Sequence, residues 1–111
     1  MPNKIDKLLK QFLKEVENIL GNRLKKVLLY GSYARGDYNR NSDLDIMILT
    51  DLSDEEIIEY RNKIWDIASN MELENDIIIS PLVKNIQKYN ERIDIVPFYT
   101  NVQKEGVVLH G

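Results

Sequence analysis

Apolar positions recur at two spacings along the first half of the chain, and each spacing predicts a different element. A repeat at every third or fourth position over about residues 3–20 predicts an amphipathic helix. The positions that carry it are Ile5, Leu8, Leu9, Phe12, Leu13, Val16, Ile19 and Leu20. Gly21 then ends the helix, because glycine is the usual residue just past a helix C-terminus. Two short apolar runs, residues 27–30 and 44–49, predict buried strands on either side of a polar, turn-rich stretch.

A capping box begins the second half of the chain, with Ser53 at the N-cap and Glu56 three residues later. It predicts a helix that runs to about Glu72. The inner face of this helix is predicted from the apolar positions Ile57, Ile58, Ile64, Trp65, Ile67, Ala68 and Met71. Trp65 falls on that stripe, so we interpret it as a core residue and not as a platform for a ligand.

The last third of the chain predicts one more strand and then mostly helix. After an Asn-Asp turn, residues 77–79 and 82–83 predict a third strand that is broken near Pro81. Residues 84–111 predict one or two short helices, interrupted at Pro97, followed by a short apolar tail.

The order of these elements favours an α/β (α+β) fold, in which a single mixed β-sheet is packed with helices. The segment between the first two strands is too short for a crossover helix, which favours adjacent, antiparallel pairing of those strands. A length of 111 residues is close to the common size of one domain, so we expect a single domain over residues 1–111.

Composition excludes several classes of function. With 43% hydrophobic and 30% charged residues, the chain has ordinary globular composition. A net charge of −3 argues against a nucleic-acid binder, which usually carries a basic excess. There is no cysteine, and the one histidine is the penultimate residue His110, which disfavours thiolate zinc sites and histidine-based triads. No apolar run is long enough to span a bilayer and the first residues lack a signal-peptide core, so we expect a soluble, cytoplasmic protein without membrane contact.

Two aspartates stand one residue apart at the start of the predicted second strand. Alternation along a strand sends the side chains of Asp43 and Asp45 to the same face. Two adjacent carboxylates repel each other, so a cation is expected to compensate them. A few carboxylates, completed by water and substrate phosphates, are the ligands that Mg²⁺ prefers. Such a cluster can also hold two ions on the attacking and leaving oxygens of a phosphoryl transfer.

A second candidate feature follows the end of the first predicted strand. Gly31 lets the backbone approach a phosphate closely, and the Ser32 hydroxyl adds a hydrogen-bond donor. Arg35 and Arg40 lie between this pair and the aspartates, and their guanidinium groups fit phosphate oxygens. Each piece alone is also explained as a turn or a surface charge. Their order, spacing and strand context together favour a nucleotide-binding site.

The Gly-Ser pair is followed, after ten residues, by Asp-x-Asp, with Ala-Arg-Gly between them and a predicted apolar strand on either side. This pattern resembles the polymerase-β-like nucleotidyltransferases. It is most similar to their minimal nucleotidyltransferase (MNT) branch, and residues 98–106 also resemble the end of that branch. The resemblance implies the nucleotidyltransferase fold and nucleotidyl transfer from a nucleoside triphosphate. It also implies that Asp43 and Asp45 hold Mg²⁺ and that Gly31 and Ser32 bind the phosphates. Members of this branch often lie beside HEPN-domain proteins as toxin–antitoxin pairs.

Active members of the family usually carry a third carboxylate inside the third strand, flanked by apolar residues, that helps hold the metal and activates the acceptor. Here residues 77–79 are three isoleucines. Asp76 is the first candidate for this catalytic role because it lies on the same face as Ile78, and it is equally well explained as half of a turn. Asp94 is the second candidate, because apolar neighbours on both sides are typical of a strand position.

The resemblance therefore implies a Mg²⁺-dependent enzyme that transfers AMP from ATP to a protein partner, a HEPN-type toxin for which this chain is the antitoxin. The alternative is a degenerate member of the fold that masks its partner without transfer, which the three isoleucines favour. A small-molecule acceptor is disfavoured, because too few residues remain to enclose it. The sequence leaves open the preferred base, the acceptor, and whether the chain forms homo- or hetero-oligomers.

Overall fold

The computed structural model describes residues 2–111 and contains a four-stranded sheet with helices on both faces. The strands are β1 (Leu24–Tyr30), β2 (Leu44–Thr50), β3 (Ile79–Asn85) and β4 (Val107–His110). They lie in the order β3-β2-β1-β4. β1 runs antiparallel to both β2 and β4, whereas β2 runs parallel to β3. The predicted mixed sheet, with antiparallel pairing of the first two strands, is confirmed.

The helices are α1 (Asn3–Leu20), α2 (Ser32–Arg35), α3 (Asp54–Asn75), α4 (Ile86–Arg92) and α5 (Pro97–Glu105), with a 3₁₀ turn at Gly21–Arg23 after α1. α1 has the predicted bounds. The predicted capping box begins α3: the Glu56 N–H donates to the Ser53 hydroxyl at 3.2 Å, and the Ser53 N–H donates to the Glu56 carboxylate at 3.1 Å. Because both donors would otherwise be unpaired, this reciprocal pair fixes where α3 starts.

One face of the sheet is covered by α1 and α3, and this face holds the larger hydrophobic core. Phe12 of α1 and Ile64 of α3 are 1% and 0% exposed. The sheet residues packed beneath them are Val27, Leu29, Leu44, Ile46, Ile48, Ile79 and Val83. All of these are apolar, so this face is closed along its length.

The opposite face is covered by α4 and α5, and its core is smaller. It consists of Leu28, Tyr30, Met47, Leu49, Tyr89 and Val102. Alternation along each strand explains the division, since Leu28 and Tyr30 point away from Val27 and Leu29. This smaller core ends before the start of β2, and the candidate site lies at that end.

The prediction that Trp65 belongs to the core is wrong, and so is the prediction for Ile58. Their side chains are 46% and 55% exposed. The buried positions of α3 are Ile64, Ala68 and Met71, with Ile57 partly buried. Each exposed residue follows a core residue by one position, which turns it about 100° away around the helix at 3.6 residues per turn.

The third strand also differs from its prediction. Ile77 and Ile78 precede β3, and Pro81 lies inside the strand, paired with Ile46 of β2. β3 is at the edge of the sheet, and alternation along the strand directs the backbone of Pro81 to the open side. The missing N–H of proline therefore removes no bond to β2, and the strand continues.

The C-terminal region completes the sheet. Pro97 does not interrupt a helix but occupies the first turn of α5, where its missing N–H has no intrahelical partner to lose. The apolar tail after α5 is the strand β4, paired with β1. Residues 93–95 form a turn between α4 and α5, so Asp94, the second candidate for the third carboxylate, does not occupy a strand position. Among residues 2–111, no helix is both long and apolar enough to cross a membrane.

Candidate active site at the open end of the sheet

Asp43 and Asp45 lie at the start of β2, on the face that α5 partly covers. Leu44 and Ile46, at the alternate positions, are buried in the larger core on the other face. β2 places Asp45 between Tyr30 of β1 and Ser80 of β3 in the register of the sheet. The Ser80 hydroxyl donates to Asp43 at 3.4 Å. The sheet thus brings both carboxylates to one side at one strand end.

Gly31 comes directly after β1 and lies against Asp45. Its φ of 77° is in the region that favours glycine, and a Cβ there would collide with a carboxylate oxygen of Asp45. A glycine is therefore needed to bring the strand end this close to the aspartate. Ser32 follows as the first residue of α2, and Tyr33 anchors that short helix in the larger core.

Glu105, the last residue of α5, also belongs to the site, although no sequence motif predicted it. Its carboxylate accepts a hydrogen bond from the Gly31 N–H at 3.0 Å and from Nη1 of Arg35 at 3.2 Å. Arg35 also donates from Nε to Asp37 at 3.2 Å. Glu105 is 74 residues from Gly31 in sequence, so no local pattern predicts the contact. The only signal was that Glu105 falls in residues 98–106, the second segment that resembles the family.

The electrostatics of the site disfavour the ionised form of Asp45. Partial burial raises the pKa of Asp45 above its ordinary value, and the nearby carboxylates of Asp43 and Glu105 add to this effect. Arg35 acts in the opposite direction by stabilising the charged form. Burial, and then the charge of Asp45, also raise the pKa of the Tyr30 hydroxyl to about 12. Negative charge is thus concentrated here beyond what the site's own cations balance.

The candidate residues divide between two clefts that flank the aspartate pair. The Gly31 cleft has a volume of about 360 Å³, and its lining includes Gly31, Ser32, Arg35, Asp45, Phe98 and Glu105. The Asp43 cleft has a volume of about 550 Å³, and its lining includes Arg40, Ser42, Asp43, Glu72, Asp76 and Ile78. The first cleft therefore combines anion donors with one aspartate. The second combines the other aspartate with Asp76 and Arg40.

Comparison with known proteins identifies the family of the chain. The model of the nucleotidyltransferase domain family matches residues 9–107. The chain belongs to the nucleotidyltransferase domain family. The chain is also 33% identical over 105 residues to a Methanocaldococcus jannaschii protein that carries the provisional name protein adenylyltransferase, covering 95% of this chain and 97% of that one.

Solved structures share the nucleotidyltransferase fold. A provisionally named nucleotidyltransferase from Sulfolobus solfataricus is 25% identical, with a TM-score of 0.59 over 95% of this chain and 80% of that chain. A toxin–antitoxin structure with AMP-PNP is 24% identical, with a TM-score of 0.52 over 98% of this chain and 72% of that chain. At that identity the second likeness shows the fold alone. The predicted nucleotidyltransferase fold is confirmed.

This nucleotidyltransferase has no acidic residue in residues 79–85, its third strand. On the side that faces the aspartates, β3 presents Ser80 opposite Asp45 and Leu82 opposite Met47. Asp76 instead caps the C-terminus of α3 in the left-handed conformation, with φ 53° and ψ 41°. It is exposed and lines the Asp43 cleft. Among residues 2–111, no three acidic or histidine side chains are grouped closely enough to hold a metal ion.

The donor set that remains is two carboxylates, Asp43 and Asp45. They fit Mg²⁺, which is commonly bound by one or two carboxylates together with waters and substrate phosphates. The raised pKa of Asp45 agrees with this fit, because an added cation would relieve the repulsion that disfavours its ionised form.

Proposed function

We propose that this nucleotidyltransferase transfers AMP from ATP to a protein partner in a Mg²⁺-dependent reaction, and that the partner is a HEPN-type toxin for which the chain is the antitoxin. The observation that carries the proposal is the convergence in one cleft of the Gly31 N–H, the Ser32 hydroxyl, the Arg35 guanidinium and Asp45. These groups match the donors and the metal ligand that a nucleoside triphosphate requires.

The two clefts support an in-line reaction. The triphosphate binds in the Gly31 cleft, with its phosphate oxygens on Gly31, Ser32 and Arg35. A hydroxyl oxygen of the partner approaches from the Asp43 cleft, forms a bond to the α-phosphorus, and the bond to pyrophosphate breaks on the opposite side. Asp76 accepts the hydroxyl proton, and pyrophosphate leaves. Asp43 and Asp45 would hold Mg²⁺, which would supply positive charge to the triphosphate and to the leaving pyrophosphate.

Two further observations favour a protein as the acceptor. Ile78 in the Asp43 cleft and Phe98 in the Gly31 cleft are 48% and 42% exposed, and such apolar side chains are typical of contacts with a protein surface. Both clefts are open, so the chain has little material with which to enclose a small acceptor. The net charge of −3 disfavours an RNA acceptor.

Radiolabelled transfer tests the proposal directly. The chain is incubated with Mg²⁺, α-³²P-labelled ATP and a purified HEPN-type toxin encoded in the same genome, and the labelled band and the intact mass of the toxin are recorded. We expect one or more AMP additions to the toxin, and none with Asp43→Asn. γ-³²P-labelled ATP is the matched control, because it labels the toxin only if a phosphoryl group is transferred instead.

A second function, masking of the partner without transfer, is favoured by the same third strand. The residue of β3 next to Asp43 and Asp45 is Ser80, so the usual third carboxylate is missing from the strand that supplies it elsewhere in the family. This function predicts a stable complex with a toxin that keeps its unmodified mass at saturating ATP. The Asp43→Asn variant would then neutralise the toxin as well as the unchanged protein does.

A further inference from the structure

The contacts of Glu105 are those of an anion bound at a phosphate site. One carboxylate oxygen accepts from the Gly31 N–H at 3.0 Å and from Arg35 at 3.2 Å, and the second oxygen lies 3.3 Å from the same Arg35 nitrogen. A backbone amide beside a guanidinium group is a donor pair that also suits phosphate oxygens. The donors assigned above to the triphosphate are therefore already paired with a carboxylate of the protein itself.

The position of Glu105 is electrostatically unfavourable in one respect. Its charge is among the causes that raise the pKa of Asp45, so two carboxylates face the same cleft. The Glu105 side chain is 24% exposed, and water screens this repulsion only in part. A residue needed only to hold α5 against β1 would not require a negative charge, because Val102 and Phe98 already pack α5 on that strand through Leu28 and Tyr30.

We propose that the Glu105 carboxylate competes with the nucleotide phosphates for the Gly31 N–H and Arg35, and so makes the site selective for a triphosphate that arrives with its divalent cation. The inference rests on the proposed nucleotide site. A bare triphosphate must displace Glu105 and leave it beside Asp45 and the incoming phosphates, so three sets of negative charge repel one another. A cation-bound triphosphate also displaces Glu105, but it brings charge that compensates the carboxylates.

Glu105→Gln separates this role from a structural one. The glutamine keeps the shape of the side chain and an oxygen that can accept from Gly31, but it removes the charge. We expect the affinity for ATP in EDTA to rise about tenfold or more, because the phosphates no longer compete with a carboxylate for one charge-assisted hydrogen bond. The affinity for ATP with saturating Mg²⁺ should change less than about threefold on the same scale.

Isothermal titration of the full chain with ATP, and with inorganic tripolyphosphate as a probe without a base, measures both affinities. Glu59→Gln is the matched control, because it makes the same charge change at an exposed position of α3 outside both clefts. In EDTA, both probes should bind more tightly to the Glu105→Gln variant than to the unchanged protein. Neither probe should bind more tightly to the Glu59→Gln variant.

Unchanged or weaker binding in EDTA with Glu105→Gln, while the unchanged protein binds ATP and Mg²⁺, would overturn the competition and leave Glu105 as a structural contact. Thermal unfolding of the same variant shows whether a loss of binding comes from a loss of folded protein. If the unchanged protein binds ATP neither with Mg²⁺ nor in EDTA, the proposed function fails together with this inference.

Discussion

The two faces of one sheet, built from alternate residues of the same strands, have opposite roles. Beneath α1 and α3 the buried sheet residues are apolar except Thr50 at the end of β2, and the core continues from one strand end to the other. Beneath α4 and α5 the apolar residues give way to Asp45 and Ser80 at the end of the sheet, where two clefts open. The closed face supplies the hydrophobic stabilisation, and it allows the open face to hold adjacent carboxylates that oppose folding.

The largest expected effect is a loss of stability on the closed face. Phe12→Ala removes a ring that is 1% exposed and should lower the free energy of unfolding by about 3–5 kcal/mol. Urea unfolding at 25 °C measures the change. Val102→Ala is the counterpart in α5, also 1% exposed, and should lower the free energy of unfolding by only about 2 kcal/mol because it removes two methyl groups. A loss of less than about 2 kcal/mol for Phe12→Ala would contradict the burial of its ring in the larger core.

On the open face, activity and stability should move in opposite directions. Asp45→Asn removes a charge that we propose binds the metal, so nucleotidyl transfer should fall by about 10²–10³-fold. The same change removes a half-buried charge whose ionised form is disfavoured, so the free energy of unfolding should rise by about 0.5–2 kcal/mol. Initial rates with labelled ATP and urea unfolding at pH 7 give the two values. A variant that lost stability would contradict the account of the open face.

Ser32→Ala tests the phosphate donors without disturbing the fold. If the Ser32 hydroxyl donates to a charged phosphate as proposed, its loss should weaken ATP binding by about 1.5–3 kcal/mol, with Mg²⁺ present. Isothermal titration measures it, and Ser69→Ala, at an exposed position of α3 outside both clefts, is the matched control. Gly31→Ala is not a clean alternative, because its methyl group would collide with Asp45. Equal weakening in both serine variants would remove the assignment of the phosphates to the Gly31 cleft.

The raised pKa of Asp45 predicts how stability depends on pH. A carboxyl group whose pKa is raised by folding binds its proton more tightly in the folded state than in the unfolded one. Stability from this group is therefore present below the unfolded pKa and is lost as pH rises through the folded pKa. Urea unfolding of the protein and of Asp45→Asn should differ little at pH 3 and most at pH 7. A difference that does not depend on pH would show that Asp45 titrates normally.

The smallest effect is expected at Trp65, outside both cores. Trp65→Ala should change the free energy of unfolding by less than about 1 kcal/mol, since the ring is half exposed and alanine has the higher helix propensity. Its neighbour Ile64 is 0% exposed, and Ile64→Ala should lower the free energy of unfolding by about 2–5 kcal/mol. Urea unfolding of the pair would place the boundary of the larger core between these two positions.

Features specified by neighbouring residues could be predicted from the sequence, whereas features that depend on distant contacts could not. The bounds of α1 and the capping box of α3 follow from residues close in the chain, and both are confirmed. Glu105 could not be assigned to the site, because β4 and the packing of α5 bring it to Gly31 from 74 residues away. Trp65 was misplaced because apolar character alone does not show how wide a stripe the neighbouring elements cover.

The proline in β3 has a consequence for how copies of this chain meet. Its backbone at the outer edge offers no N–H, and Lys84 adds an exposed charge beside it, so another strand cannot continue the sheet there. The opposite edge, β4, carries the exposed Val107 and Val108 and has no proline or lysine within it. Self-association by sheet extension, and the aggregation that follows from it, is therefore blocked on one side of the molecule and left open on the other.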